Sequence, residues 1–127
     1  MAPVADWEHL LKSYDIADLV DEVASAEPPA YLRRCFAEAA SAPRLSWARV
    51  QQLAGCALLL DAVADGRDYP GLEPELIADW RTHYAQPFAG LKELAVRALR
   101  HAAGAAEGAP PEALAELQQL AARLAAA

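Results

Sequence analysis

Three side chains of the kinds that ligate metals recur every fourth residue late in the chain. Glu75, Asp79 and His83 would lie along one face of a helix. Carboxylate and imidazole groups ligate zinc and iron. A metal site in a helical bundle also needs ligands from a facing helix, and the sequence has no Glu-x-x-His pattern to supply them. A solvated helix face, with Asp79 paired to a neighbouring arginine, is therefore the favoured interpretation, and the metal site is the alternative.

One carboxylate stands alone in an apolar run. Asp61 follows three leucines and precedes Ala62 and Val63. A buried charge is costly unless it is paired, so a buried Asp61 would have a raised pKa or serve as a ligand. We favour the alternative, in which position 61 meets solvent or pairs with an arginine such as Arg97.

The remaining reactive side chains form no catalytic pattern. Cys35 and Cys56 fall on apolar faces of two predicted helices, which favours inert, reduced thiols and no disulfide. A cysteine nucleophile would need a nearby histidine base, and the histidines have no informative spacing. The sequence also lacks a glycine-rich phosphate loop and an HExxH motif. It therefore favours a non-enzymatic protein and predicts no cofactor.

The best surface feature is acidic. If two helices lie side by side, seven carboxylates would form one partner-binding patch: Asp15, Asp18, Asp21, Glu22, Asp61, Asp65 and Asp68. Such a patch suits a basic protein, for example a nuclease toxin. An ordinary solvated helix face is an equally good interpretation of the same residues.

The net charge of the chain disfavours one large class of partner. The formal net charge is −7 and the isoelectric point is about 4.8. Binding to DNA or RNA requires clustered lysines and arginines that neutralise phosphates, whereas here the arginines are scattered and outnumbered. Direct nucleic-acid binding is therefore disfavoured.

The element that must position these residues is the stretch from Ser46 to Gly66. It begins with a capping serine, ends with a C-terminal glycine and is apolar on every side between Leu53 and Val63. A helix that is apolar all round must be surrounded by other helices. The sequence therefore predicts an all-α, single-domain bundle of six to seven helices around a central helix at about 46–66.

The other predicted helices follow from apolar spacing and breaker residues. A short helix begins near Pro3, a second is capped by Asp15 with Asp18 at the capping-box position, and a third follows Pro28. A fifth begins at Pro74 and is broken at Gln86 and Pro87, and a sixth runs from Phe88 to about Gly104.

Domain organisation follows from a glycine- and proline-rich break. Residues 1–107 form the helical domain, 108–111 a linker, and 112–127 a helix with a narrow leucine seam. That last helix could dock on the body, pair with a second copy or fray. Docking is favoured because an isolated helix of this length is marginal in water.

Residues 1–12 lack the basic and apolar regions of a signal peptide, and no segment has the length of a membrane span. We therefore expect a cytoplasmic protein with no membrane contact. Alanine, leucine and arginine are abundant in the chain, whereas lysine is scarce. This composition suggests a bacterial source with a GC-rich genome.

Four segments carry a family resemblance. Residues 13–19 (SYDIADL), the alanine-rich central helix, residues 74–80 (PELIADW) and residues 94–99 (LAVRAL) resemble, in order and spacing, a family of small bacterial proteins called domain of unknown function 4259. The resemblance covers about residues 13–103. It supports the predicted fold and brings no catalytic residues.

These observations favour an acidic protein-interaction module of the immunity, antitoxin or inhibitor type. One alternative is a helical-bundle enzyme or a metal- or ligand-binding protein that uses Glu75, Asp79 and His83, or Asp61. Another is a scaffold that forms homodimers through residues 112–127.

Overall fold

The computed structural model describes residues 7–69 and 71–126. It places six helices in them: α1 (Ile16–Ser25), α2 (Pro28–Ser41), α3 (Trp47–Asp65), α4 (Pro74–Ala89), α5 (Lys92–Ala105) and α6 (Pro111–Ala126). Within those ranges there is no strand, and the only sheet-like pairing is a single bridge between Leu45 and Ala106. The predicted all-α, single-domain bundle is confirmed.

The central helix is α3, and both of its predicted ends are confirmed. The side chain of Ser46 accepts a hydrogen bond from the Arg49 amide at 3.3 Å. Gly66 ends the helix with φ of 73°, a backbone conformation that glycine adopts without strain. Every residue from Leu53 to Val63 is buried, and α3 packs against all five other helices. This burial is why the helix has no polar face.

Helix α1 begins where its capping residue predicts. The Asp15 carboxylate accepts a hydrogen bond from the Asp18 amide at 3.1 Å. One face of α1 buries Leu19, Val20 and Val23, and α1 packs against α2 and α3. The opposite face is left to solvent.

The C-terminal helix α6 lies against α5. Leu117, Leu120 and Leu124 are fully buried, so the leucine seam is used within the chain. The segment before α3 fastens the end of α5: the Leu45 amide donates to the Ala105 carbonyl at 3.0 Å, and the Leu45 carbonyl accepts from the Glu107 amide at 2.8 Å.

Two predicted helix boundaries are wrong. Helix α4 continues through Pro87 to Ala89, and α5 begins at Lys92 instead of Phe88. A proline removes one backbone donor from a helix, and here only the last turn is affected. Phe88 is fully buried, and its ring lies 6.1 Å from the ring of Tyr84 and 6.4 Å from that of Trp80. This aromatic packing holds the final turn of α4.

The short first helix is also not formed in the part of the chain that the structure describes. Residues 8–13 form turns, with positive φ at Trp7 and Ser13; Pro3 lies outside the described residues. Tertiary contacts hold this segment. The Glu116 carboxylate accepts from the Leu10 amide and contacts the His9 ring, each at 2.8 Å.

Candidate functional site

The outer face of α1 is an uninterrupted acidic surface. Asp15, Asp18, Asp21 and Glu22 are all exposed. The stretch from residue 13 to residue 32 contains no lysine, arginine or histidine, so no positive charge on this element neutralises them. We call these four residues the α1 acidic face.

A small cleft adjoins the α1 acidic face. It encloses about 220 Å³ and lies between α1 and the start of α4. Its lining residues are Ala17, Val20, Asp21, Gly71, Glu73 and Leu76. Val20 and Leu76 give the cleft an apolar surface, and Asp21 and Glu73 add carboxylates from two different elements. We call this feature the acidic cleft.

Sequence reasoning missed Glu73. It precedes Pro74 and occupies the N-cap position of α4, where a carboxylate is explained by the positive end of the helix dipole. No spacing pattern in the sequence relates Glu73 to Asp21, because the two residues are far apart along the chain. Only the packing of α1 beside the loop that leads to α4 brings the two together.

Glu22 has a fixed position at the edge of the α1 acidic face. The Tyr31 hydroxyl of α2 donates to the Glu22 carboxylate at 3.0 Å and accepts from the side-chain Nε2 of Gln52 on α3 at 2.9 Å. Burial raises the pKa of Tyr31 to about 12, so the hydroxyl stays protonated and keeps its donor. Three helices thus position this carboxylate.

Asp61 does not lie at the surface, so the expectation that it meets solvent is wrong. It does pair with an arginine, as the other interpretation expected, but the arginine is Arg67 and not Arg97. Its side chain is fully buried. The Tyr69 hydroxyl donates to Oδ2, and Arg67 Nε lies 3.2 Å from the same oxygen. The loop after α3 folds back over the helix, which covers position 61 and brings Arg67 to it. Asp61 is therefore not part of an exposed acidic patch.

This buried contact extends into a network that reaches α6. Arg123 donates to the Tyr69 hydroxyl at 2.9 Å and lies over the Trp7 ring, 5.4 Å from its centroid. Burial raises the pKa of Asp61, and the neighbouring Asp65 carboxyl raises it further, against the opposing effects of Tyr69 and Arg67. The network joins α3, its following loop, α6 and the N-terminal segment.

The other two residues of the seven-carboxylate patch also separate. Asp65 Oδ1 forms a 2.6 Å ion pair with Lys92 of α5 in a mostly buried position, whereas Asp68 is exposed in the loop. In the described structure, therefore, only the α1 acidic face remains as one exposed surface. Asp61 pairs with Arg67, and Asp65 pairs with Lys92.

The residues of the hypothetical metal site lie together on the exposed side of α4. Glu75, Asp79 and His83 are all exposed. His83 Nδ1 lies 2.9 Å from the Asp79 carbonyl and 3.4 Å from its carboxylate, so Asp79 pairs with histidine and not with an arginine. Among the described residues, no group of three or more histidine, cysteine, aspartate or glutamate side chains converges as a metal site would require.

A second, basic surface lies away from α1. A groove of about 810 Å³ runs along α5 and the end of α6. It is lined by Lys92, Glu93, Val96, Arg97, Arg100, His101, Leu124 and Ala125. Arg97 is thus at the surface and not beside Asp61. The groove gives the acidic chain one locally basic region.

Comparisons with known proteins assign no family to this chain. No protein-family model, curated protein or solved structure matches the chain. The resemblance to domain of unknown function 4259 stays a prediction. No helix among the described residues is both long enough and apolar enough to cross a membrane.

Proposed function

We propose that the protein is a non-enzymatic interaction module that binds a basic segment of a partner protein through the α1 acidic face and the acidic cleft. The observation that carries the proposal is the position of Asp21 and Glu73 around one partly apolar cleft. A toxin inhibited by its immunity protein or antitoxin is the kind of partner that this surface suits.

The chemistry of the cleft favours arginine or lysine. Both side chains carry an apolar stem and a charged end. Val20 and Leu76 can cover the stem, while Asp21 and Glu73 can pair with the charge. The remaining carboxylates of the α1 acidic face extend the negative potential along the helix, which would steer a basic partner and make association sensitive to salt.

The alternative functions have less support. The α4 residues Glu75, Asp79 and His83 have no facing ligands among the described residues. Self-association through residues 112–127 would have to use a seam whose main leucines already pack inside the chain. The α1 acidic face needs no such rearrangement, because its side chains are already exposed.

Charge reversal tests the proposal. The full chain is used to capture partners, and a purified basic partner is then titrated by calorimetry at low and high salt. We expect the double variant Asp18→Lys with Asp21→Lys to lower affinity at least tenfold, equivalent to about 1.4 kcal/mol. We also expect high salt to weaken the wild-type complex.

A matched control changes the same amount of charge elsewhere. Glu38 and Glu107 are exposed and form surface ion pairs with Arg49 and Arg44, which contribute little to stability. The variant Glu38→Lys with Glu107→Lys should retain most of the affinity. Equal losses in both double variants would show that net charge matters and that the α1 acidic face is not the interface.

A further inference from the structure

Another pocket lies between the loop after α3 and the start of α4. It encloses about 400 Å³, a volume within the range of small-molecule sites, roughly 300–1,000 Å³. The charged residues of its lining are Arg67, Asp68 and Arg81. It shares no lining residue with the acidic cleft. We call this feature the arginine pocket.

Arg67 is anchored at the arginine pocket by a buried carboxylate. Its Nε atom lies 3.2 Å from Oδ2 of Asp61, whose side chain is fully buried. The Arg67 side chain itself is 45% exposed. A guanidinium has five N–H donors, so donors of Arg67 remain for a partner that enters from solvent. The buried pairing thus fixes the position of a positive charge that a ligand can reach.

Arg81 is placed beside the same loop by a glycine. The Arg81 guanidinium occupies the space into which a Cβ atom of residue 66 would project, so the side chain reaches from α4 to the residue directly before Arg67. Among the described residues, Arg81 takes part in no ion pair. Two guanidinium groups from different elements are therefore brought to one pocket.

The rest of the lining favours one class of anion. Leu72, Pro74 and Ile77 contribute apolar surface, which suits a ligand with a hydrocarbon body. Asp68 opposes the two arginines, so two positive charges and one negative charge leave a single net positive charge in the lining. A phosphomonoester carries about −1.5 to −2 charges near neutral pH, whereas a carboxylate carries one. This charge balance favours a monoanion.

We propose that the arginine pocket binds a small organic monocarboxylate with an apolar body. The two guanidinium groups donate charge-assisted hydrogen bonds to the carboxylate, and the apolar residues cover the hydrocarbon. This inference is independent of the proposed partner-binding function, because the arginine pocket and the acidic cleft have no lining residue in common.

Titration of the ¹⁵N-labelled full chain with benzoate, followed by NMR, tests the proposal. Hexanoate repeats the test with a different apolar body, benzamide keeps the ring of benzoate without its charge, and inorganic phosphate is an anion without an apolar body. We expect saturable binding of the two carboxylates, with the largest amide shifts at residues 66–78. Benzamide and phosphate should bind roughly fivefold more weakly or worse, because each lacks one of the two recognised features.

Three results would overturn the proposal. The first is no saturation by either carboxylate in the millimolar range. The second is equal affinity for benzoate and benzamide, which would show that the charge is not recognised. The third is phosphate binding as tight as benzoate binding, which would indicate a general anion site.

Arg81→Gln separates the pocket from the overall charge. Arg81 is exposed, so the variant should fold and should lower benzoate affinity about tenfold, the effect of one hydrogen bond to a charged group. Arg97→Gln removes the same charge from an exposed position on α5 outside the arginine pocket and should bind benzoate like the wild type. Equal losses in both variants would show that benzoate responds only to net charge.

Asp68→Asn tests the charge balance through a gain of affinity. Removal of the opposing carboxylate should tighten benzoate binding roughly threefold, the effect of one partly screened charge. A damaged fold would not produce such a gain. Unchanged or weaker binding would contradict the assignment of Asp68 to the site.

Discussion

At the scale of single residues, Asp61 and Asp65 form an unusual pair of carboxyl groups one turn apart on α3. Asp61 Oδ1 and Asp65 Oδ2 are both buried and have no hydrogen-bond partner within the described ranges. The neighbouring Asp65 carboxyl is one of the causes that raise the pKa of Asp61, after burial, and a hydrogen bond between two carboxyl groups requires a proton on one of them. We infer that the pair retains one proton, because that proton removes one of two adjacent negative charges.

This pair predicts a pH dependence of stability. The folded pKa of Asp61 is above its ordinary value of 3.8. As pH rises from about 4 to that raised value, the unfolded chain releases this proton while the folded chain holds it, so stability falls. Asp61→Asn has no such proton, and its amide can donate to Asp65 while its carbonyl accepts from Tyr69. The variant should therefore gain stability relative to wild type across this interval.

Urea unfolding over a series of pH values measures the effect. Asp68→Asn, at an exposed position in the adjoining loop, controls for the loss of one negative charge. Parallel stability curves for wild type and Asp61→Asn would contradict a proton held by the carboxyl pair.

At the scale of elements, the position of α1 depends on a glycine in α3. A Cβ atom added at Gly55 would lie 2.6 Å from Leu19 Cδ2, 3.2 Å from Ile16 Cδ1 and 3.3 Å from Tyr14 Cε2. The missing side chain therefore lets the apolar face of α1 lie directly on α3. This contact in turn fixes the direction of the α1 acidic face.

Two matched glycine substitutions test this close approach. In a helix, alanine is favoured over glycine by up to about 1 kcal/mol. Gly104 lies in α5 with no atom within 4 Å of an added Cβ, so Gly104→Ala should raise the free energy of unfolding. Gly55→Ala should lower it, because overpacking in a core costs about 1–3 kcal/mol. Chemical denaturation measures both, and an equal gain at the two positions would show that α1 does not depend on Gly55.

At the scale of the whole molecule, the acidic and basic surfaces lie on different helices. The last helix, α6, contributes buried residues to the core. The α1 acidic face lies on a helix that packs against α2 and α3, whereas the basic groove follows α5 and α6. Helix α6 covers α5 and also supplies Glu116 to the N-terminal segment and Arg123 to the buried network. It is therefore an integral part of the core.

Removal of residues 108–127 should abolish cooperative unfolding. Three fully buried leucines in α6 each contribute about 1.5–3 kcal/mol by burial, and their sum is comparable with the total stability of a small domain, about 5–15 kcal/mol. In the full chain, Leu117→Ala should cost about 2–5 kcal/mol, and the partly exposed Leu114→Ala less. Circular dichroism during thermal and urea denaturation measures these effects. An unchanged midpoint for residues 1–107 would show that α6 is an appendage.

The amino-acid sequence by itself determined the features that depend on neighbours along the chain. The apolar run of α3, the caps at Asp15 and Ser46 and the C-terminal Gly66 are patterns within one or two helical turns, and each predicted its element correctly. The acidity of α1 is equally local, because all four carboxylates lie on one helix.

The tertiary structure alone decided which distant residues meet. Asp61 is buried because the loop with Tyr69 and Arg67 folds back over α3, and Pro87 stays helical because Phe88 packs on Trp80. No local pattern contains these contacts. The same reason explains the candidate site, because Glu73 joins Asp21 only through the packing of α1 beside the loop that leads to α4. Their chemistry depends on distance in space, which periodicity along the chain does not specify.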